Sequence, residues 1–306
     1  DKIRGSFFPI EIYGRELLCD RPELADVKIT DHCSFNCEFC YQNSGPDGKH
    51  ADTDKVFQAI DALAELEVFE IALGGGDPVD HPDFVKIVDY ARKKGIIPNF
   101  STRNLDFLYS QDFIEITEKI GSIGFTVTDV SDLKKLSDAQ KFLCCLTDLK
   151  TPRIKVHIVE NSLDYEDLKK VAEFFRDYRF RIIFLGVKEI GRGKVLKHRP
   201  WPENFIELLP KYPYEIDTQM AANSIEKWEK AGFNTSNVEI HEGLQSLYVD
   251  CCAQKIGKSS YQPETSKKIN FSQPGLSRKF QRFFEKQQQK IITDENMWLL
   301  NPFRDR

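Results

Sequence analysis

Short apolar runs along this chain alternate with stretches in which apolar residues recur at helical spacing. The runs are four to six residues long and lead into glycine or polar residues, which is typical of strands buried on both faces of a parallel sheet. They cover residues 27–30, 68–73, 96–101, 123–128, 154–159 and 182–187. Between them the pattern predicts helices: one capped by Thr53, one over 82–92 that opens on Pro82 and stops at Gly95, and one over 168–175.

This alternation predicts a parallel sheet built from βαβ units with right-handed crossovers. Six such strands make an α/β fold, a partial (β/α)6 TIM-like barrel. Functional residues of such barrels gather at the carboxyl ends of the strands. We therefore expect the site to lie in the loops that follow the six strands.

The alternation ends after about residue 190, where the sequence predicts a small C-terminal extension. Helical spacing returns at 205–209 and 225–230, and residues 244–249 and 259–262 are expected to pair as a hairpin around Gly257. Three phenylalanines at helical spacing are expected to pack against the barrel: Phe280, Phe283 and Phe284. The predicted divisions are an N-terminal extension (1–25), a barrel core (26–193), C-terminal helices with a hairpin (194–262) and a polar, basic tail (263–306).

Charge and composition limit the classes of partner that this chain is expected to bind. The chain has 43 Lys and Arg against 48 Asp and Glu, so no basic excess predicts binding to nucleic acid or to an anionic membrane. No apolar run approaches the length of a membrane helix, and residues 1–8 lack a signal-peptide pattern. We expect a soluble, cytoplasmic protein, in which the eight cysteines are metal ligands or thiols rather than disulfides.

Three closely spaced cysteines carry the main chemical signal. Cys33, Cys37 and Cys40 follow the first strand with the spacing C-x3-C-x2-C. Three thiolates so close together can hold one polynuclear cluster and leave one iron open to a substrate or cofactor, whereas a saturated cluster takes four protein ligands. The alternative is a structural zinc knuckle completed by His32, His50 or a distant cysteine.

With the aromatic Phe39 before the last cysteine, this segment resembles the signature of radical S-adenosylmethionine (SAM) enzymes. The resemblance implies a [4Fe-4S] cluster on Cys33, Cys37 and Cys40. SAM would bind the fourth iron through its amino and carboxylate groups, and Phe39 would pack near its adenine.

A glycine-rich turn ends the second predicted strand. The sequence Gly74-Gly75-Gly76-Asp77-Pro78 is similar to the family's Gly-Gly-Glu-Pro motif, which receives the amino group of SAM. The resemblance assigns that role here to the glycines and to Asp77, which keeps the carboxylate on a shorter side chain. The alternative is an ordinary strand-to-helix turn.

Polar residues on the later strands resemble the family's remaining SAM contacts. Ser101-Thr102-Arg103-Asn104 is similar to the Thr-Thr-Asn-Gly stretch of the peptide-modifying branch, which places Ser101 near SAM. The resemblance also implies ribose or carboxylate contacts from Thr126, Lys155 and His157. Arg192, after the sixth strand, is a candidate partner for a carboxylate of SAM or substrate. The alternatives are a polar face turned outward and an exposed loop arginine.

The resemblance implies that a flavodoxin or ferredoxin reduces the cluster, which splits SAM to a 5′-deoxyadenosyl radical that removes a substrate hydrogen. The chain resembles the peptide-modifying, SPASM-related branch, but without an evident set of auxiliary-cluster cysteines. We predict a peptide or protein side chain as substrate. The alternatives are a small metabolite such as a nucleoside or sugar, a non-catalytic iron–sulfur or zinc scaffold, and a glycyl-radical activase, which the lack of cysteines in residues 41–73 disfavours. Cys251 or Cys252 as a hydrogen-atom donor is a further hypothesis.

Overall fold

A mostly parallel, ten-stranded sheet forms the framework of the part of the chain that the structure describes. The structure, a computed structural model, describes residues 11–12, 15–16, 19–145, 153–160, 162–176, 181–195, 214–230 and 240–294. Its strands are β1 (Leu24–Thr30), β2 (Glu70–Gly75), β3 (Ile97–Thr102), β4 (Ser122–Val127), β5 (Arg153–Val159), β6 (Arg181–Leu185), β7 (Tyr214–Ile216), β8 (Ser246–Asp250), β9 (Lys255–Gly257) and β10 (Lys267–Lys268). A separate two-residue pair joins Glu11–Ile12 to Arg15–Glu16.

The sheet order is β10-β9-β8-β1-β2-β3-β4-β5-β6-β7. Neighbours from β1 to β7 pair in parallel in chain order, and β8 returns to pair in parallel with β1. The six predicted strands are all present, with their ends displaced by three residues at most. The predicted α/β class and TIM-like partial barrel are confirmed, with β7 and β8 as two further parallel strands.

Helices cover the sheet between successive strands. They are α1 (Thr53–Glu65), α2 (Phe84–Lys93), α3 (Gln111–Ile116), α4 (Asp132–Cys145), α5 (Tyr165–Arg176), α6 (Thr218–Lys230) and α7 (Leu276–Asp294). Short 3-10 turns occupy Pro78–Asp80, Leu105–Tyr109, Gly191–Val195 and Pro263–Thr265. In the part of the chain described here, no helix combines the length and apolar character that crossing a membrane requires.

Two predicted helix starts were wrong. The cap of α1 is Asp52, whose carboxylate accepts from the backbone N–H groups of the first turn, while the hydroxyl of Thr53 donates to Asp83. A carboxylate at this position also interacts favourably with the helix dipole. The second helix begins at Phe84 rather than at Pro82.

The predicted hairpin exists with a different second strand. Residues 251–254 form the turn, where Gln254 has φ +50°, and β8 then pairs with β9 at 255–257 rather than with 259–262. Gly257 therefore lies in a strand, opposite Tyr248. The tight turn uses residues that the sequence pattern assigned to a longer loop. The predicted helix at 225–230 is part of the longer α6, and 205–209 lies outside the described residues.

The alternation of side chains along β1 and β2 separates the core from the barrel interior. Val27, Ile29, Ile71 and Leu73 are fully or almost fully buried and pack under the helices. The residues between them point to the opposite side of the strand, toward the interior. The predicted packing of the C-terminal phenylalanines is confirmed: Phe280 and Phe284 of α7 are fully buried, and Phe283 packs against the same core.

Candidate functional site

A cavity of about 550 Å³ opens at the carboxyl ends of the barrel strands. Its wall includes Cys33, Cys37, Phe39 and Cys40 from the cysteine loop (residues 31–52), which joins β1 to α1. The three cysteines are partly accessible and carry free thiols. The loop that follows the first strand thus brings the predicted ligands to the mouth of the barrel.

The glycine-rich turn after β2 is hydrogen-bonded to residues at the start of the cysteine loop. The backbone N–H of Gly76 donates to the carbonyl of Thr30 at 2.7 Å, and that of Asp77 donates to the carbonyl of His32 at 3.0 Å. A Cβ on Gly76 would lie 1.8 Å from the carbonyl oxygen of His32, so this close approach requires glycine. A Cβ on Gly74, by contrast, would have no described atom within 4 Å, so this glycine leaves open space on the cavity wall.

Asp77 presents a buried carboxylate oxygen to the cavity wall. One oxygen, Oδ2, accepts from the Thr102 hydroxyl at 2.8 Å and from the Arg103 backbone N–H at 3.1 Å. The other, Oδ1, makes no hydrogen bond of regular geometry among the described residues, although the residue is only 3% exposed, and the nearby backbone N–H of Val79 also stabilises the carboxylate. Burial raises the pKa of Asp77 from 3.8 to about 6. A buried acceptor of this kind fits a ligand that brings its own N–H donor.

Arg192 is hydrogen-bonded to the backbone of the cysteine loop. Its Nε donates to the carbonyl of Cys37 at 2.9 Å and its Nη2 to the carbonyl of Ser44 at 2.6 Å. Its backbone N–H donates to the carbonyl of Cys40 at 3.1 Å. The structure therefore places Arg192 outside the cavity lining and bonds its Nε and Nη2 to the loop backbone, so its predicted contact with a carboxylate stays a prediction.

Arg103 was not recognised as a site residue from the sequence. Its Nη1 lies 2.9 Å from the sulfur of Cys37, and its Nη2 donates to the hydroxyl of Thr128 at 2.6 Å. The guanidinium also lies over the ring of Phe35, 5.1 Å from its centroid. The available signal was the arginine itself, which stands directly after β3 where the resembling motif has asparagine.

Polar residues of β3, β4 and β5 form the next part of the wall. Ser101, predicted from the motif resemblance, and Thr126 and His157, predicted from their strand faces, all line the cavity. Ser101 Oγ lies 3.4 Å from His157 Nδ1. Burial lowers the pKa of His157 to about 4, with the charges of two nearby lysines adding to the effect, so the imidazole is neutral near pH 7. Gly124 makes room for it, since a Cβ there would lie 2.4 Å from the ring.

Lys155 shares a strand face with His157 but lies two residues further from the mouth. Its ammonium pairs with the carboxylate of Glu215 on β7 at 3.0 Å, and both side chains are partly buried. Lys155 falls outside the residues that line the cavity. The ion pair crosses β6, the strand between β5 and β7, and it lies outside the cavity lining that Ser101, Thr126 and His157 share.

The opposite half of the cavity is charged and rich in tyrosine, and no sequence pattern indicated it. Its wall includes Asp26 of β1, Lys188 after β6 and Glu242 before β8. The Lys188 ammonium lies 5.0 Å and 4.8 Å from the ring centroids of Tyr41 and Tyr261. Burial, together with the charge of Glu242, raises the pKa of Asp26 to about 6. These groups come from distant parts of the chain, so no local motif marks them.

Residues that follow β9 also contact the charged, tyrosine-rich half of the cavity. The hydroxyls of Tyr41 and Ser260 lie 2.8 Å apart, which joins the cysteine loop to the residues after β9. Cys251 and Cys252 lie outside the cavity lining. Cys251 is a core residue, 2% exposed, and burial raises the pKa of the Cys252 thiol to about 12. The structure therefore does not bring either thiol into the site, where a hydrogen-atom donor would have to be.

The donor set fits an open-sided cluster better than a single zinc ion. No three His, Cys, Asp or Glu side chains of the described residues are arranged to hold one metal ion. Neither histidine of the zinc alternative is grouped with the cysteines in such a set: His32 Nδ1 lies 3.2 Å from Asp80, and His50 Nδ1 lies 2.9 Å from the Thr30 hydroxyl. In an iron–sulfur cluster each thiolate binds its own iron, so the three sulfurs do not need to converge on one point.

Comparison with known proteins decides the family. A family model described as the Radical SAM superfamily matches residues 27–241, well over half of the chain. The chain belongs to the radical SAM superfamily. Members of this superfamily are enzymes that use a [4Fe-4S] cluster and SAM. The resemblance of the cysteine and glycine motifs is thereby confirmed at the level of family.

Among curated relatives, the mycofactocin maturase MftC of Mycolicibacterium smegmatis is 25% identical over 193 residues, which is 60% of this chain and 49% of that protein. The chain thus spans about half the length of this relative.

The SAM-bound structure of SuiB from Streptococcus suis superimposes with a TM-score of 0.65 at 11% identity, over 85% of this chain and 66% of that one. A structure of anSMEcpe with bound AdoMet and the Cp18Cys peptide gives a TM-score of 0.55 at 12% identity, over 88% and 82%. The two structures support the radical SAM fold.

Proposed function

We propose that this radical SAM protein modifies a peptide or protein side chain, using a [4Fe-4S] cluster held by Cys33, Cys37 and Cys40. The observation that carries the SAM chemistry in this proposal is the buried Oδ1 of Asp77, which makes no hydrogen bond within the described residues, on the same cavity as the three cysteines. Three thiolate ligands leave one iron for SAM, and Asp77 supplies an acceptor beside it. When bound and reduced by a flavodoxin or ferredoxin, the cluster supplies the electron that splits SAM into methionine and a 5′-deoxyadenosyl radical.

The chain's own residues orient SAM and exclude water. Asp77 Oδ1 accepts from the SAM amino group, and the open space at Gly74 allows that group to approach the backbone. Phe39 packs against the adenine. Ser101, Thr126 and neutral His157 offer hydroxyl and imidazole partners to the ribose and carboxylate.

The charged, tyrosine-rich half of the cavity receives the substrate. It lies on the same cavity as the SAM contacts but uses β1, β8 and the segments after β6 and β7. A peptide would place one side chain there while its backbone stays at the mouth. Support comes from a relative named as a maturase and from a fold neighbour whose structure holds a peptide beside AdoMet.

The first test asks whether the protein cleaves SAM. The protein is reconstituted anaerobically with iron and sulfide, reduced with dithionite, and 5′-deoxyadenosine is quantified against a Cys33/Cys37/Cys40→Ala variant. We expect 5′-deoxyadenosine only from the intact protein. If the protein holds a full cluster but neither binds SAM in a titration nor forms 5′-deoxyadenosine, the result would instead support the non-catalytic scaffold alternative.

The second test concerns the substrate. Peptides with deuterated side chains, deuterated nucleosides and deuterated sugars are incubated separately with the reduced protein and SAM, and the 5′-deoxyadenosine is analysed by mass spectrometry. We expect deuterium transfer from peptides, because the radical removes hydrogen directly from the modified carbon. Transfer from nucleosides or sugars alone would reject the peptide assignment in favour of a small metabolite.

A further inference from the structure

We propose that Arg103 is a positioning residue that sets the reduction potential of the cluster through Cys37. This inference rests on the proposed function, because it takes Cys37 as a cluster ligand. The starting observation is the 2.9 Å contact between the Arg103 guanidinium and the Cys37 sulfur, in a partly buried environment. Neither the motif resemblance nor the predicted SAM contacts assign Arg103 a role.

Three contacts besides the one to Cys37 hold the arginine in this place. Its backbone N–H donates to Asp77, which fixes the start of the side chain. Its second terminal nitrogen donates to the Thr128 hydroxyl at 2.6 Å, and its plane lies over the Phe35 ring. A planar guanidinium with both ends bonded has little freedom to turn away, whereas a lysine ammonium could not make both contacts at once.

A fixed cation beside a ligand sulfur favours the reduced state of the cluster. Reduction transfers one electron from the donor to the cluster and breaks no bond, so it adds one negative charge close to the guanidinium. Hydrogen bonds to the sulfurs and nearby charge are among the factors that set cluster potentials. The partial burial of the pair limits screening by water and salt. Arg103 therefore makes the cluster easier to reduce.

The experiment is a redox titration of the cluster, monitored by electron paramagnetic resonance, on the reconstituted full chain without SAM. The variants are Arg103→Gln, Arg103→Lys and Thr128→Val, with Lys93→Gln as a matched loss of an exposed charge at the end of α2. Iron and sulfide contents are measured on each sample.

We expect Arg103→Gln to shift the reduction equilibrium at least tenfold toward the oxidised state, which is about 59 mV for a one-electron couple. Arg103→Lys and Thr128→Val should shift it in the same direction by less, and Lys93→Gln should leave it unchanged. If Arg103→Gln does not retain a cluster, the Arg103→Lys and Thr128→Val titrations decide the matter.

Unchanged potentials in the variants that retain full clusters would overturn the inference. An unchanged potential together with weaker SAM binding in a separate titration of the same variants would also overturn it, and would assign Arg103 to SAM rather than to Cys37. Failure of the proposed function itself looks different: the wild-type protein would then show no [4Fe-4S] signal, or would hold the cluster without binding or cleaving SAM.

Discussion

Replacing Asp77 with asparagine should stabilise the apoprotein while weakening SAM binding. The carboxylate is buried, and its pKa is raised from 3.8 to about 6 mainly by that burial. Since each pKa unit corresponds to about 1.36 kcal/mol, holding the ionised form in the folded state costs about 3 kcal/mol. Asparagine is uncharged and its carbonyl can still accept from Thr102 and Arg103, so the substitution removes most of this cost.

The sign of the pH dependence follows from the raised pKa. The folded state binds the Asp77 proton more tightly than the unfolded state, so this group lowers stability as the pH rises from 3.8 to about 6 and has its full effect above that. The advantage of Asp77→Asn should therefore approach about 3 kcal/mol near pH 7.5 and shrink to about 0.6 kcal/mol near pH 4.

The assay is urea unfolding of both apoproteins, followed by circular dichroism at several pH values, with Glu118→Gln as the loss of an exposed carboxylate. SAM binding to the reconstituted proteins is measured in parallel. We expect affinity to fall roughly tenfold to a hundredfold, since a hydrogen bond to a charged group contributes about 1.5–3 kcal/mol. No gain in stability at neutral pH, or a gain that does not shrink in acid, would refute the electrostatic reasoning. Unchanged SAM affinity would refute the assignment of Asp77 to the ligand.

Three further predictions concern the walls of the site. Gly76→Ala should destabilise the protein by about 2–4 kcal/mol in urea unfolding, because its Cβ would meet the backbone of His32, whereas Gly74→Ala should leave unfolding unchanged and weaken only SAM binding. Arg192→Met should accelerate the loss of iron from the reconstituted protein to a chelator several-fold, because it removes two charged hydrogen bonds, about 1.5–3 kcal/mol each, from the cysteine loop. An unchanged rate of iron loss would show that the loop is held by other contacts. Cys252→Ala should retain turnover of the substrate to product, since this thiol lies outside the cavity; loss of product while 5′-deoxyadenosine still forms would restore its hypothetical donor role.

The strand–helix alternation could be predicted well because its causes are local. Buried parallel strands need continuous apolar runs, and the six runs were visible without any knowledge of contacts. The position of β9 could not be predicted, because either of two nearby segments could pair with β8. The turn at Gln254 decided between them. The cap of α1 was misplaced by one residue for a similar reason: Asp52 and Thr53 are both good caps, and the contact with Asp83 uses the Thr53 hydroxyl.

The candidate site likewise has parts that the sequence predicts and parts that it does not. The cysteine loop and the glycine turn could be found because their residues are neighbours in sequence and their spacing carries the chemistry. Arg192 and Lys155 were correctly noted as unusual polar residues, but their partners were not predictable: one bonds the loop backbone and the other bonds Glu215. Arg103 and Lys188 acquire their significance only from side chains far away in the chain.

The sequence alone therefore determined the family, the cofactor chemistry and the order of the barrel strands, since each is encoded in short segments whose residue types have few other uses. The tertiary structure decided which polar side chains share the cavity, because strands distant in sequence meet there only when the barrel curves. It also decided the electrostatics: Asp77 and His157 have shifted pKa values mainly because the packed protein around them excludes water.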